Sequence, residues 1–391
     1  MTIKITILGA TGSIGKSTLD IVRQHPDHFK IVGLTTNTNI VEFEKLLNEF
    51  KPKKAVVSDS NYFKKLPAIY GTEIISGENG LIEIAEDPDS DVVVAGIVGF
   101  AGLSSIMAAT NSGKRVLLAN KESLVCAGNL VVENCIKSDA NVIPIDSEHN
   151  AIFQCLGVDY KCFQKPQNLS KIILTASGGP FRTWEPQKIK NATVKQAITH
   201  PNWTMGKKIS VDSATMINKA LEIIEAHWLF NLDSSEIDVV VHPESIIHSM
   251  IEFSDKAVLA QLGQPDMKIP IAFGLNWPKR LEMKLEGLDW KEKKLLNFEP
   301  PDYKKFPSIL LAREVLTLGG SFGAVMNAAN EVAVQSFLDK KIAFGAIVGI
   351  VADSLDKFSQ NATKKIGSLD ELVALDNSVR KYCHELIKKM I

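Results

Sequence analysis

Asp146-Ser147-Glu148-His149-Asn150 sets two carboxylates, a hydroxyl and an imidazole in one short stretch, directly after the apolar run Val142 to Ile145. That run reads as a buried strand. Strands of a parallel sheet bind ligands beyond their C-terminal ends, so polar groups at this tip stand where α/β proteins usually do chemistry. Asp146 and Glu148 are two apart, and on an extended backbone their side chains leave the same face and converge on one cation. The competing reading is a helix cap. In it Asp146 or Ser147 caps a helix over Ala151 to Leu156, and Glu148 supports the cap.

A second polar group lies downstream, in Val211-Asp212-Ser213-Ala214-Thr215-Met216-Ile217-Asn218-Lys219-Ala220-Leu221-Glu222. The spacing predicts a helix continuing towards Phe230, with Ile217, Leu221 and Ile224 as its buried stripe. Asn218 and Glu222 are four apart and Lys219 and Glu222 three apart, hence neighbours on the helix surface. Ser213 near the N-terminus suits an oxyanion, and an Asn-Lys edge beside a carboxylate suits a phosphate and a third metal ligand; a plain Lys-Glu surface pair is the alternative. Ser177-Gly178-Gly179-Pro180 follows a strand over Lys171 to Thr175 and offers a hydroxyl with a nest of backbone N–H groups, or only a tight turn. His200-Pro201-Asn202-Trp203-Thr204-Met205-Gly206 reads as a lid that covers a ligand with an indole, or as a loop anchored by a buried Trp.

The elements that must position these groups begin with a strand over Ile3 to Leu8. Gly9-Ala10-Thr11-Gly12-Ser13-Ile14-Gly15 then opens a helix to about Gln24, and a second strand over Lys30 to Leu34 follows at βαβ spacing. The glycines form G-x-x-G-x-x-G, which shares the physics of the dinucleotide fingerprint: a tight turn, and helix N–H groups offered to a pyrophosphate. No acid stands in Leu34-Thr35-Thr36-Asn37-Thr38-Asn39 to hold a ribose 2'-hydroxyl, which favours NADP over NAD, though no basic residue welcomes the 2'-phosphate either. Further strands over Ala55 to Val57, Glu73 to Ile75, Val92 to Ala95, Val116 to Leu118 and Val142 to Ile145 alternate with helices. That alternation predicts a Rossmann-like, doubly wound parallel sheet. Asn120-Lys121-Glu122 follows the sixth strand at the same edge, where Lys121 is either a solvated cap or a substrate or ribose contact. Strands over Val239 to Val241, Ile246 to Glu252 and Ala257 to Leu262 predict an α+β second domain, and helices from about Pro307 predict a C-terminal α-helical bundle. Asn327-Ala328-Ala329-Asn330-Glu331 is read as a polar helical start in that bundle, serving packing or capping. The expected boundaries are 1–145, 146–276, a connecting segment 277–306 with Pro270 at a turn before it, and 307–391.

At 391 residues the chain is too long for one ordinary core, and its 45% hydrophobic and 23% charged composition is that of a globular protein. A net charge of -1 provides no basic field for nucleic acid. No apolar run approaches the roughly 18 residues of a membrane span, and the first strand leaves no room for a targeting peptide, so a cytoplasmic protein is expected. Cys126, Cys135, Cys155, Cys162 and Cys383 lack C-x-x-C spacing and are expected to be reduced, mostly buried thiols.

Six stretches taken in order resemble the motifs of the 1-deoxy-D-xylulose 5-phosphate reductoisomerase family: Gly9 to Gly15, Leu118 to Ser123, Pro144 to Asn150, Ser177 to Phe181, His200 to Trp203, and Val211 to Met216 with Asn218, Lys219 and Glu222. The resemblance runs on through Asn327 to Glu331. It implies an NADPH-dependent enzyme of non-mevalonate isoprenoid precursor synthesis that rearranges its phosphorylated sugar substrate and reduces the product to 2-C-methyl-D-erythritol 4-phosphate. By resemblance Asp146, Glu148 and Glu222 hold Mg2+ or Mn2+, a hard cation suited to carboxylate oxygens, and with Lys121 they form the catalytic group. Lys121, Ser147, Glu148 and Glu222 would meet the substrate, while Ser177, Ser213, Asn218 and Lys219 would bind its phosphate with His200 beside it. Trp203 and Met205 would belong to a closing loop. Thr11, Gly12, Ser13, Ile14, Asn39, Asn120, Glu122 and Gly206 would contact the cofactor, and a homodimer is implied. Asn37-Thr38 departs from the family, many of whose members have Gly followed by Lys or Arg there. Two other classes stay open: an NADP-dependent dehydrogenase of a phosphorylated metabolite without rearrangement, and a non-catalytic cofactor sensor.

Overall fold

The computed structural model describes residues 2–69, 71–200, 203, 205–292, 295–362 and 365–390. The first part of the chain runs β1 (Ile3–Leu8), α1 (Ser13–Gln24), β2 (Phe29–Thr36), α2 (Ile40–Phe50), β3 (Lys54–Val57), α3 (Ser60–Phe63), β4 (Glu73–Ser76) and α4 (Gly77–Glu86). It continues through β5 (Val92–Ala95), α5 (Leu103–Asn111), β6 (Arg115–Leu118), α6 (Lys121–Ser138), β7 (Asn141–Pro144) and α7 (Ser147–Leu156). All seven strands pair in parallel, in the order β4-β3-β2-β1-β5-β6-β7. The predicted doubly wound sheet is therefore present. Its inner strands are apolar runs because helices cover both faces, as in Val92–Ala95, where every residue is buried. The strand order reverses between β1 and β5, and that crevice is where such sheets bind ligands.

The next segment forms β8 (Leu169–Ala176), α8 (Pro186–Lys190), α9 (Val194–Ala197), α10 (Lys207–Ala214), α11 (Ile217–Phe230), β9 (Ile237–Val241), β10 (Ile247–Phe253) and β11 (Val258–Leu262). These four strands make a mixed sheet, β11-β10-β8-β9, with β8 and β9 parallel and the other pairs antiparallel. The chain then adds α12 (Lys268–Asn276), and ends in α13 (Ser308–Leu318), α14 (Phe322–Leu338), α15 (Ala346–Lys357), α16 (Ser359–Ala362) and α17 (Leu369–Met390). The C-terminal part is helical, as its sequence pattern predicts.

Two compact units result. One comprises Met1–Ser123, Leu130–Cys162 and Asp266–Gly287, and the other Leu124–Asn129, Phe163–Pro265 and Leu288–Ile391. The core of the first unit gathers Ile5, Ile7, Leu34, Phe43, Val94 and Leu117 from the sheet and its helices, with Ile271 and Leu275 of α12.

Local expectations fail at four places. The strand before Asp146 ends at Pro144, so Asp146 and Glu148 are not on an extended backbone; Asp146 caps α7 and Glu148 lies in its first turn. The single helix expected from Val211 to Phe230 is two helices, because Met216 adopts a left-handed φ of 61° that breaks the hydrogen-bond ladder between α10 and α11. Asn327 to Glu331 lies in the middle of α14 and does not start it. Pro270 sits in the first turn of α12, where its missing N–H costs no helical bond.

Candidate active site

In the first unit, the turn after β1 is built for close approach. A Cβ at Gly15 would lie 2.5 Å from the Cα and carbonyl oxygen of Ala10, so only glycine lets α1 start tightly against the turn. Gly12 caps α1 with extended backbone and no side-chain hydrogen bond, which leaves the helix N-terminus to an anion. Thr11, Gly12, Ser13 and Ile14 line this turn with partly or fully exposed surface. The turn is pinned to β2: Gly9 N–H donates to Thr35 Oγ1 at 2.8 Å, Ala10 N–H to the Thr35 carbonyl at 2.8 Å, and the hydroxyls of Thr11 and Thr36 share a 2.8 Å bond. β2 runs two residues further than its apolar run suggested, to Thr36, and Asn37, Thr38 and Asn39 beyond it are exposed. Asn39 caps α2, accepting from Glu42 N–H at 3.4 Å.

Asn120 is buried at the N-terminus of α6, and its carboxamide is spent on structure. Its oxygen accepts from Ser123 N–H at 2.7 Å, and its nitrogen donates to the carbonyls of Ile97 at 2.5 Å and Gly99 at 2.8 Å. The first turn of α6 carries the buried Lys121 and Glu122. Lys121 is no solvated cap: its Nζ lies 2.5 Å from Asp146 Oδ2. Ser147 N–H donates to Asp146 Oδ1 at 3.1 Å, and Ser147 Oγ donates to Glu148 Oε2 at 2.6 Å. The cap and the carboxylate cluster are thus one feature: Asp146 caps α7, Glu148 lies in its first turn, and Lys121 pairs with Asp146.

In the second unit, Ser177 directly follows β8 and shares a 2.9 Å hydrogen bond with His200 Nε2, while Gly179 N–H donates to Ser177 Oγ at 3.2 Å. Gly179 has a φ of 68°, and a Cβ there would sit 2.6 Å from the Ser213 carbonyl. Only glycine brings the turn after β8 this close to the backbone at the end of α10. Past the break at Met216, α11 presents Asn218, Lys219 and Glu222. Asn218 and Lys219 both donate to the fully buried Glu222 carboxylate. Full burial of Glu222 and near-full burial of Lys219 exclude the surface-pair reading. Trp203 is partly buried, its N–H donates to His200 Nδ1 at 3.0 Å, and its ring lies 6.1 Å from that of His248. Met205 and Gly206 lead into α10, while Pro201, Asn202 and Thr204 lie outside the described residues.

Sequence reasoning missed Asp212 and Asn330. Asp212, beside Ser213, is buried, ion-paired with Lys208 at 2.9 Å, and accepts from Asn330 Nδ2 at 2.9 Å. The signal was present in the amide-rich run of α14, but its partner is 118 positions away.

Three stretches match family models: residues 5–128 the model described as 1-deoxy-D-xylulose 5-phosphate reductoisomerase, 142–230 its C-terminal domain, and 262–382 the DXP reductoisomerase C-terminal domain. The chain is 48% identical over 389 residues to the 1-deoxy-D-xylulose 5-phosphate reductoisomerase of Ralstonia nicotianae, covering 98% of each. It is 46% identical over 385 residues to that of Chloroherpeton thalassium, covering 98% of this chain and 97% of the other. A crystal structure of DOX-P reductoisomerase in complex with NADPH, fosmidomycin and magnesium superposes with a TM-score of 0.94 at 45% identity, covering 99% of both chains. The Zymomonas mobilis enzyme in complex with NADPH gives 0.90 at 42% identity, again over 99% of both.

Proposed function

Since the chain belongs to the 1-deoxy-D-xylulose 5-phosphate reductoisomerase family, we propose how its residues divide the work of converting 1-deoxy-D-xylulose 5-phosphate to 2-C-methyl-D-erythritol 4-phosphate with NADPH and a divalent cation. Asp146, Glu148 and Glu222 hold the cation. The donor set fits: three carboxylates supply the hard oxygens such a cation takes, and Asp146 and Glu222 each stand beside a lysine. The bound Mg2+ or Mn2+ supplies Lewis acidity towards the carbonyl and hydroxyl oxygens of the substrate. Lys121 and Ser147 orient the sugar beside it.

Ser177, Ser213, Asn218 and Lys219, with His200, bind the phosphate; the support is the Ser177–His200 hydrogen bond and the close packing of the turn after β8 on the Ser213 backbone. Trp203 and Met205 close over the substrate and exclude water from the transferring hydride. The cofactor lies along the turn after β1, with its pyrophosphate at Thr11 to Ile14 and its ribose near Asn39. Asn120, Glu122 and Gly206 are further cofactor contacts, Asn120 through its backbone because its side chain is committed. We further propose a homodimer and a cytoplasmic location. The exposed apolar side chains of Val258 and Leu259 on the edge strand β11 support the first, and an odd number of cysteines, which suits no disulfide framework, the second.

The observation that carries the reading is the pairing of a lysine with a metal-binding carboxylate in each unit, Lys121 with Asp146 and Lys219 with Glu222. The test is NADPH oxidation on adding 1-deoxy-D-xylulose 5-phosphate, with and without Mg2+. Oxidation that requires the metal and yields the branched polyol phosphate is expected. Reduction without rearrangement would favour a simple dehydrogenase.

A further inference from the structure

The end of β2 offers Asn37, Thr38 and Asn39 to a ribose 2'-phosphate, all neutral, yet a phosphate carrying close to two charges needs a cation. We propose that Lys16, from the glycine-turn helix, supplies that cation and is the residue by which this chain distinguishes NADPH from NADH. The proposal rests on the cofactor placement above.

Lys16 stands one turn into α1, its N–H donating to the Gly12 carbonyl at 2.9 Å, so it lies on the same side of the helix as the residue that caps it. Its ammonium reaches towards α2 and lies 3.8 Å from Glu42 Oε1. Glu42 belongs to the first turn of α2, and its N–H donates to Asn39. The Thr11–Thr36 bond holds the glycine turn against the end of β2. The Lys16 head group therefore reaches from α1 to the first turn of α2, the turn that Asn39 caps, on the side of the sheet where a ribose at the end of β2 would carry its 2' substituent.

The lysine is also available. Its side chain is 53% exposed on a flexible stem, and an exposed pair with a single carboxylate contributes little, so exchanging Glu42 for a phosphate is favourable. Arg23 is not available in this way, because its guanidinium already bonds Glu49 at 2.6 and 2.8 Å and Asp20 at 2.8 Å. Lys45 also approaches Glu42, at 3.9 Å, but from the next turn of α2 and away from the glycine turn. It serves as the positional control.

The test is calorimetric titration of the whole chain with NADPH, NADH, adenosine 2',5'-bisphosphate and adenosine 5'-monophosphate, none of which requires turnover. Lys16→Met should weaken NADPH and the bisphosphate by about five- to tenfold while leaving NADH and the monophosphate within about twofold. Lys16→Arg should keep the affinity, and Lys45→Met should change it little. The proposal is overturned if Lys16→Met leaves NADPH binding unchanged, if it weakens both dinucleotides equally, or if Lys45→Met produces the loss instead. Should the unaltered chain bind NADPH no better than NADH, the 2'-phosphate is not recognised and the proposal falls, while the reductoisomerase reading still stands on its turnover. Binding of neither dinucleotide would remove that reading, and this proposal with it.

Discussion

Asn330 in the middle of α14 donates its carboxamide to Asp212 at the end of α10, 2.9 Å away, with both side chains buried. Asp212 is the residue before Ser213, and its other charge partner is Lys208 one turn back. The C-terminal helices thus fix the end of the helix that carries a proposed phosphate ligand. Asn330→Ala removes a donor from a buried carboxylate, a change that costs on the order of 1–3 kcal/mol in stability. The urea midpoint should fall accordingly, and KM for the phosphorylated substrate should rise more than kcat falls, because binding geometry is disturbed and not the reacting centre. An unchanged midpoint and KM would show that the contact positions nothing.

Glu222 is fully buried and accepts from both Asn218 and Lys219, so Glu222→Gln removes a proposed metal ligand and also strands a buried ammonium. Breaking such a pair costs about 3–5 kcal/mol, whereas replacing both partners is far milder. Turnover at limiting Mg2+ should drop steeply, as should Mn2+ affinity measured by calorimetry. The Lys219→Met, Glu222→Gln double variant should regain stability without regaining metal affinity. Full activity of Glu222→Gln at limiting Mg2+ would remove Glu222 from the metal site.

How much of this was legible in the sequence depends on the range of the interaction. The parallel sheet could be read because strands such as Val92–Ala95 are continuous apolar runs with helices between them, a local pattern. Met216 could not be read as a helix break: its left-handed φ is imposed by packing, and nothing in Ala214-Thr215-Met216 announces it. Likewise the geometry of Asp146 and Glu148 was misread, since the strand-tip argument assumed extended backbone where a cap had already turned the chain. The Asp212–Asn330 contact joins helices far apart in sequence, and a single sequence carries no periodicity that pairs them.

Burial governs the thiols. It pushes the Cys155 thiol up to about 11 and the Cys135 thiol up to about 12, and it also raises Cys383, which bonds Ser354 at 3.3 Å. At pH 8 a thiol with a pKa near 11 is ionised to about one part in a thousand, and the thiolate is the reactive form. The folded protein should therefore react slowly with an aromatic disulfide reagent at pH 8, faster as the pH rises towards 11, and at all five cysteines once denatured. Rapid stoichiometric labelling of Cys155 in the folded state at pH 8 would contradict the burial argument.

Thr38 follows β2 by two residues, is exposed and carries no charge. A neutral hydroxyl offers the 2'-phosphate a hydrogen bond about half as strong as a charge-assisted one. Thr38→Arg should widen the preference for NADPH over NADH, measured as the ratio of kcat/KM values, by on the order of 1 kcal/mol, since a half-exposed charge contact contributes that much or less. The same substitution in a Lys16→Met background should restore most of the preference lost there, because the phosphate then regains one cation from the other side of the gap. Added salt should shrink both gains, as it screens exposed charges beyond about 8–10 Å and weakens nearer ones. A ratio that stays put in Thr38→Arg would mean that the 2'-phosphate does not lie at the end of β2, and the cofactor would have to be turned in its groove.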